Sequence, residues 1–192
     1  MKSAEERTIV VFGDSIVMGA WDSSGGWVSR LWALLNNTVV YNLGVDGDTT
    51  SQLVTRMDGE LRVRASDKVT IVFAIGINDA SRVDDVCKVT QEHFLKNFDK
   101  LVQHCAPYAD HLVIVGLTRV DQSKTVPVDW DPTLMFKNTD IEQYDILLRE
   151  VSKRHGAAYV PIGEIPLSSD GVHPNSEGHA LIASKIVTAL QD

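Results

Sequence analysis

The feature that most limits the fold of this chain is an alternation of short apolar runs with longer amphipathic stretches. The short runs are rich in β-branched residues, as strands are. Between them, apolar residues recur every three or four positions, as on helices that pack against a core. Because strands alternate with helices, the pattern predicts a parallel sheet with helices on both faces. The five predicted strands are Thr8–Phe12, Val39–Asn42, Lys68–Ile75, His111–Gly116 and Ala157–Pro161.

The amphipathic stretches predict the core-facing sides of four helices. No low-complexity tract, charge block or internal repeat interrupts the alternation, so residues 1–192 are expected to form a single domain. The four predicted apolar stripes are Trp27, Leu31, Leu34 and Leu35; Phe94, Phe98, Leu101 and Val102; Ile141, Tyr144, Leu148 and Val151; and Leu181, Ile182, Ile186 and Leu190.

Charge and composition disfavour several classes of partner. A net charge of -8 argues against binding to nucleic acid or to anionic lipid, which needs clustered Lys and Arg. The N-terminal stretch has acidic residues where a signal peptide would be basic, and no apolar run is long enough to span a membrane, so we expect a cytoplasmic protein. Cys87 and Cys105 fall in stretches predicted to be helical and are expected to be free thiols. The sequence leaves the oligomeric state open.

Four polar motifs follow the predicted strands. In an open parallel α/β sheet, ligands bind beyond the carboxyl ends of the strands, so these motifs are the candidates for function. Each motif alone is compatible with an ordinary turn or helix cap. The four are Gly13-Asp14-Ser15, the stretch NLGVDGDTT after the second strand, the stretch GIND at 76–79, and the stretch SDGVHPNSEGH at 169–179.

Together the motifs contain the groups that acyl transfer requires. A serine becomes a useful nucleophile when an imidazole accepts its proton and a carboxylate orients that imidazole. Ser15, with Asp170 and His173 three residues apart on one loop, can supply these groups. An oxyanion hole needs N–H donors, which the Ser15 N–H, the Gly44 N–H and the Asn78 amide can supply. We expect Asp14 to hold the turn beside the serine.

The same residues, with Gly19, resemble the four sequence blocks of the SGNH, or GDSL, hydrolase family, in the family's order and over most of the chain. The resemblance implies a three-layer α/β/α, flavodoxin-like fold with a five-stranded parallel sheet. It also implies esterase, lipase or thioesterase activity on a small-molecule ester, without a metal or other cofactor. The implied roles are Ser15 as nucleophile, His173 as general base, Asp170 as its orienting carboxylate, and Ser15, Gly44 and Asn78 as the oxyanion hole.

Three alternatives stay open at the level of sequence. Asp46, Asp48 and Asp79 also follow strands and could bind magnesium in a phosphohydrolase. A zinc site could be built from Asp170, His173 and His179. The chain could also be a catalytically silent member of the family that binds an acyl or sugar ligand.

The stretch Gln122–Thr139, called the long connection below, is the least regular part of the chain. It is long for a connection in a compact domain, and long connections often carry function. We expect it to lie over the carboxyl ends of the strands and to line the substrate pocket with Trp130, Met135 and Phe136.

Overall fold

The computed structural model describes residues 7–65 and 69–191, which form eight strands and eight helices. In chain order the strands are β1 (Arg7–Gly13), β2 (Thr38–Gly44), β3 (Val69–Ala74), β4 (Arg82–Val83), β5 (Val86–Cys87), β6 (Ala109–Val115), β7 (Leu134–Met135) and β8 (Ala158–Val160). The helices are α1 (Ser15–Met18), α2 (Gly26–Leu34), α3 (Thr50–Arg64), α4 (Ile77–Ala80), α5 (Gln91–Cys105), α6 (Gln122–Thr125), α7 (Asn138–His155) and α8 (Ser176–Gln191).

The main sheet has five parallel strands in the order β2-β1-β3-β6-β8. Each of these strands overlaps one of the five predicted runs, although Lys68, the first residue of the predicted third run, lies outside the described residues. The prediction of a five-stranded parallel α/β sheet is therefore confirmed.

Helices cover both faces of this sheet. Successive residues of β1 point to opposite faces, so that Val10 and Phe12 pack in one core and Ile9 and Val11 in the other. The first core is closed by α3, α5 and α7, and the second by α2 and α8. This arrangement is the three-layer α/β/α architecture that the resemblance implies.

Two of the predicted apolar stripes include residues that face solvent. Leu34, the last residue of α2, has 51% of its surface exposed, and Leu181 in α8 has 42% exposed. Successive residues of a helix point about 100° apart, so Leu181 points away from the core when its neighbour Ile182 is buried. The stripe in α7 is buried throughout, as predicted.

A small antiparallel sheet, in the order β5-β4-β7, lies outside the main one. Cys87 belongs to β5 and pairs with Arg82, so the prediction that Cys87 is helical is wrong. The cause is a tight turn at Asp84 and Asp85, whose φ angles of 49° and 64° are left-handed and fit a two-residue hairpin. Cys105 is in α5 as predicted, and both cysteines are free thiols.

The register of the main sheet brings three strand ends to the same level. Gly13 at the end of β1 pairs with Gly44 of β2 on one side and with Ala74 of β3 on the other. The turns that follow these strands therefore start side by side at one edge of the sheet, called the carboxyl edge below. Within the two described ranges, no helix has the length and hydropathy needed to cross a membrane.

The aromatic cluster under α5 gives a test of the core. Phe98 is fully buried and meets Phe73 edge to face, with ring centroids 6.1 Å apart. We expect Phe98→Ala to lower the free energy of unfolding by about 3–5 kcal/mol, because it leaves a cavity. Urea denaturation measures this loss, and Ile146→Ala on the exposed side of α7 should change stability by no more than about 0.5 kcal/mol. Equal effects would contradict the assignment of the core.

Candidate active site

The turn between β1 and α1 presents Ser15 at the carboxyl edge. Asp14 caps α1, and its Oδ1 accepts the Ile16 N–H at 3.0 Å, which confirms that Asp14 holds the turn. Gly13 must lack a side chain, because a Cβ there would lie 2.2 Å from Cγ2 of Val17 and 2.3 Å from the Ala74 carbonyl oxygen. The sheet and the first helix together therefore fix the position of the serine.

The loop Ser168–His173, called the histidine loop below, brings its imidazole to this serine. His173 Nε2 lies 2.8 Å from Ser15 Oγ, and Nδ1 lies 2.5 Å from Asp170 Oδ2. A carboxylate only accepts hydrogen bonds, so Nδ1 carries the proton and Nε2 of the neutral ring accepts from the Ser15 hydroxyl. The structure thus joins the three predicted catalytic residues in one chain of hydrogen bonds.

Asp170 is held in its ionised form. Partial burial alone would raise its pKa, but hydrogen bonds from His173, Val172 and Ser168 outweigh that effect and lower the pKa below its ordinary value. Its Oδ1 accepts the N–H groups of Val172 and His173 at 3.0 and 3.1 Å, and the Ser168 hydroxyl at 2.8 Å. The carboxylate can therefore orient the imidazole and stabilise the positive charge that forms on it.

Gly44 does not present its N–H to the site. That N–H donates to Oδ1 of Asn42 at 3.0 Å. A Cβ on Gly44 would lie 2.2 Å from Met18 N and 2.7 Å from Asp14 O, so the glycine permits close packing of β2 against α1 and the turn that carries Ser15. The role predicted for Gly44 in the oxyanion hole is not supported, because its donor is already used.

Gly47, which the sequence analysis missed, is better placed as a donor. It has a left-handed φ of 73°, and within residues 7–65 and 69–191 no acceptor is found for its N–H. The next residue, Asp48, accepts a hydrogen bond on its carbonyl from Asn78 Nδ2 at 3.0 Å, which ties this loop to the predicted donor Asn78. The Asp-Gly dipeptide at 46–47 was an available signal, since it favours a left-handed glycine.

Arg56 is a second residue that the sequence analysis missed. It projects from α3, and its Nε donates to Asp48 Oδ2 at 2.7 Å. Its Nη2 donates to the carbonyl oxygens of Leu43 at 2.9 Å and Gly13 at 3.2 Å. One side chain therefore ties together the end of β1, the end of β2 and the loop that carries Gly47.

Buried carboxyl groups lie behind the nucleophile. Burial, reinforced by the charges of Asp79 and Asp48, raises the pKa of Asp14 to about 7, although the bond from Ile16 opposes the shift. Burial raises the pKa of Asp79 to about 6, against the hydrogen bonds it accepts from Thr50 N–H and Oγ1. These carboxyl groups are structural acceptors for the backbone and side chains around the site.

The residues proposed for the magnesium and zinc sites are bound to other protein groups or are exposed to solvent. Asp48 is paired with Arg56, Asp79 is bonded to Thr50, and Asp46 is exposed. His179 is fully buried, and its Nε2 faces the Ala20 carbonyl oxygen at 3.4 Å. Over the described part of the chain, no three His, Cys, Asp or Glu side chains are grouped as metal ligands.

The long connection touches the histidine loop near its start. The Asp121 N–H, one residue before it, donates to the Gly171 carbonyl oxygen at 2.8 Å. Of the three predicted pocket residues, Trp130 is exposed, Met135 pairs with Arg82 in the small sheet, and Phe136 is buried in the core. Their contact with a substrate stays a prediction.

An exposed aromatic side chain stands beside the imidazole of His173. The ring of Trp21 lies 6.3 Å from that of His173, centroid to centroid, and 61% of the Trp21 surface is exposed. The sequence analysis did not single out Trp21, since a lone tryptophan in a turn carries no motif.

The fold and this geometry agree with comparisons to known proteins. The chain belongs to the GDSL-like lipase/acylhydrolase family, whose model matches residues 11–181. The match confirms the predicted resemblance and the predicted class, a carboxylic ester hydrolase of the GDSL type.

Individual relatives are distant in sequence but similar in fold. YpmR, an uncharacterised protein of Bacillus subtilis (strain 168), is 23% identical over 226 residues, covering 99% of this chain and 84% of that protein. LAE5, an alpha/beta hydrolase enzyme from the metagenome of Lake Arreo, is 24% identical with a TM-score of 0.76, covering 98% of this chain and 97% of its own. Axe2, an acetylxylan esterase from Geobacillus stearothermophilus, is 18% identical with a TM-score of 0.75, covering 100% and 97%.

The raised pKa of Asp14 generates a prediction about stability and pH. Between the ordinary carboxyl value of about 3.9 and about 7, the folded state binds a proton that the unfolded state has lost, so stability falls as pH rises. Asp14→Asn keeps an oxygen that can cap α1 but cannot titrate. The unfolding free energy of the variant minus that of the unmodified protein should therefore rise by at least about 1 kcal/mol from pH 5 to pH 8. Urea denaturation at both pH values checks this, and a constant difference would contradict it.

Proposed function

We propose that this protein hydrolyses carboxylic esters through an acyl-enzyme formed on Ser15. The observation that carries the proposal is the hydrogen-bonded series from Ser15 Oγ through His173 to Asp170. Catalytic mutants of Axe2 replace a serine, an aspartate and a histidine with alanine, the same three residue types. This agreement supports the proposed roles.

Acylation begins when Ser15 Oγ attacks the carbonyl carbon of the ester. The hydroxyl proton passes to Nε2 of His173, and the carbonyl oxygen becomes an oxyanion. Asp170 stabilises the imidazolium that results. When the intermediate collapses, the bond to the leaving oxygen breaks and His173 gives the proton to that oxygen. An alcohol departs, and the acyl group remains on Ser15.

Deacylation repeats these steps with water as the nucleophile. His173 Nε2 takes a proton from the water as its oxygen attacks the acyl carbon. The second tetrahedral intermediate then expels Ser15 Oγ, which recovers the proton from His173. The products are a carboxylic acid and the original enzyme, so the cycle needs no cofactor. A thioester can follow the same route, with a thiol as leaving group.

The oxyanion forms next to donors from three loops. The Ser15 N–H lies beside the nucleophile, the Asn78 amide has a second N–H beyond the one bound to Asp48, and the Gly47 N–H has no acceptor within the described residues. We assign these three groups to the oxyanion hole. Arg56 positions two of the loops and does not touch the substrate.

The acyl group of the substrate is proposed to be small or medium in size. A cavity of about 30 Å³ at the carboxyl edge is lined mainly by apolar atoms. Its lining includes Ile16 and Ile77, the neighbours of Ser15 and Asn78 in the sequence, and Leu117. Ser15, Gly47, Asn78 and His173 do not line this cavity, so it does not by itself set the length of the acyl group. A medium acyl chain requires the substrate to extend over Trp130 and Met135 instead.

Covalent labelling tests the nucleophile directly. We expect an organophosphate to add to Ser15 and to stop hydrolysis of an acetate ester, because phosphorylation needs the same activated hydroxyl. Mass spectrometry of the digested protein identifies the labelled residue. In Ser15→Ala, both labelling and turnover should be lost, while Ser184→Ala, at an exposed serine of α8, should retain both. Undiminished turnover by Ser15→Ala would overturn the proposed function.

Removal of one oxyanion donor gives a graded prediction. Asn78→Ala should reduce kcat by about 100- to 1,000-fold with little change in KM, because the lost hydrogen bond strengthens as the oxyanion forms. Steady-state kinetics on an acetate ester measures both constants. Asn36→Ala, an exposed residue at the opposite edge of the sheet, serves as the control. A loss confined to KM would exclude Asn78 from the oxyanion hole.

A further inference from the structure

The strongest unassigned feature of the surface is the indole of Trp21. It lies 6.3 Å from the His173 ring, tilted by 33°, and most of it faces solvent. An apolar side chain of this size gains nothing from such exposure in the free protein. Its backbone has a left-handed φ of 64°, which is uncommon for a bulky residue, and strained residues of this kind cluster at functional sites.

The turn that carries Trp21 is held firmly on both sides. On one side, the Ala20 carbonyl oxygen faces His179 Nε2 at 3.4 Å. On the other, Asp22 accepts the N–H groups of Ser24 and Gly26 and forms an ion pair with Arg30. Because both neighbours are anchored, the indole is presented from a fixed backbone and not from a loose loop.

The position of Trp21 next to His173 places it on the side of the site where the leaving group of the ester is expected. In acylation, His173 Nε2 gives its proton to the leaving oxygen, which must therefore lie within hydrogen-bond distance of that nitrogen. The group attached to this oxygen extends across the surface around the imidazole, where Trp21 stands. The carbonyl oxygen of the substrate faces the proposed oxyanion donors Asn78 and Gly47, whereas the leaving oxygen faces the imidazole. Trp21 therefore borders the leaving group.

We propose that Trp21 binds the leaving group of the ester and selects alcohols that present an apolar ring face, as a pyranose or an aryl alcohol does. This inference rests on the proposed function. An exposed indole offers a flat apolar surface to such a ring, and contacts of this kind contribute a few-fold to ten-fold in affinity. The contact exists before and during acylation and is absent in deacylation, because the alcohol has then left.

Three acetate esters test the proposal: ethyl acetate, benzyl acetate and methyl 6-O-acetyl-glucopyranoside. They form the same acetyl-enzyme, and their alcohols differ mainly in the ring. In Trp21→Asn, which removes the ring and tolerates a left-handed φ, kcat/KM should fall about 3- to 10-fold for at least one ring ester relative to ethyl acetate. Trp21→Phe should retain most of the preference. The acetyl-enzyme should be hydrolysed at the unmodified rate in both variants.

The matched control is Trp32→Asn. Trp32 is 60% exposed, as Trp21 is, but it lies on α2 and donates its indole N–H to the Val40 carbonyl oxygen. We expect no change there in the ratio between ring and ethyl esters. The proposal is overturned if Trp21→Asn leaves both ratios within twofold, or if it lowers all three esters equally, since an equal loss indicates a disturbed His173.

A second measurement uses the unmodified protein, so that it does not depend on folding of the variants. Acetyl transfer from the acetyl-enzyme to added alcohols should favour benzyl alcohol or methyl glucopyranoside over ethanol by about 3- to 10-fold. Equal transfer would overturn the proposal. If the unmodified protein hydrolyses none of the three esters, and an organophosphate does not label Ser15, the proposed function itself fails.

Discussion

The site depends on one hydrogen bond, between Ser15 Oγ and His173 Nε2, whose two residues are 158 positions apart in the chain. No local structure can bring them together. The serine is carried by the turn after a central strand, and the histidine by a loop that follows the edge strand β8 and precedes α8. Because α8 packs on α2 across the same face of the sheet, the second core sets this distance. Stability of that core is therefore a condition for catalysis.

Buried polar groups give the carboxyl edge its shape. Apolar packing alone does not fix the direction of backbone groups. Hydrogen bonds do so here: Asp79 accepts the Thr50 N–H, and Arg56 donates to Asp48 and to the Gly13 carbonyl oxygen. Arg56 binds the ends of β1 and β2, and Asp79, which follows β3, binds Thr50 at the start of α3. The arrangement places charged groups in a region of low solvent access, which explains why the pKa values of Asp14 and Asp79 are raised there.

The sequence was sufficient to predict the strands, the layers and the three residues that the structure joins by hydrogen bonds, because each depends on a pattern or a motif. Ser15, Asp170 and His173 could be found since their residue types and order are specific to one chemistry. Gly44 and Gly47 were harder to separate, since they lie three residues apart at the end of β2 and the hydrogen bond of the Gly44 N–H to Asn42 is seen only in the structure. Arg56 and Trp21 could not be predicted, because their roles come from contacts between distant elements. Cys87 was assigned to a helix because a two-residue strand leaves almost no periodicity.

The contact between Asp121 and Gly171 has a consequence for motion at the site. Gly171 has a left-handed φ of 77°, and a Cβ there would lie 3.1 Å from the Cβ atoms of both Asp121 and Lys124, so the two loops are in close contact. Asp121 and Lys124, at the start of the long connection, thus pack against the histidine loop and support it. A displacement of that segment would therefore shift the loop that holds the His173 imidazole next to Ser15.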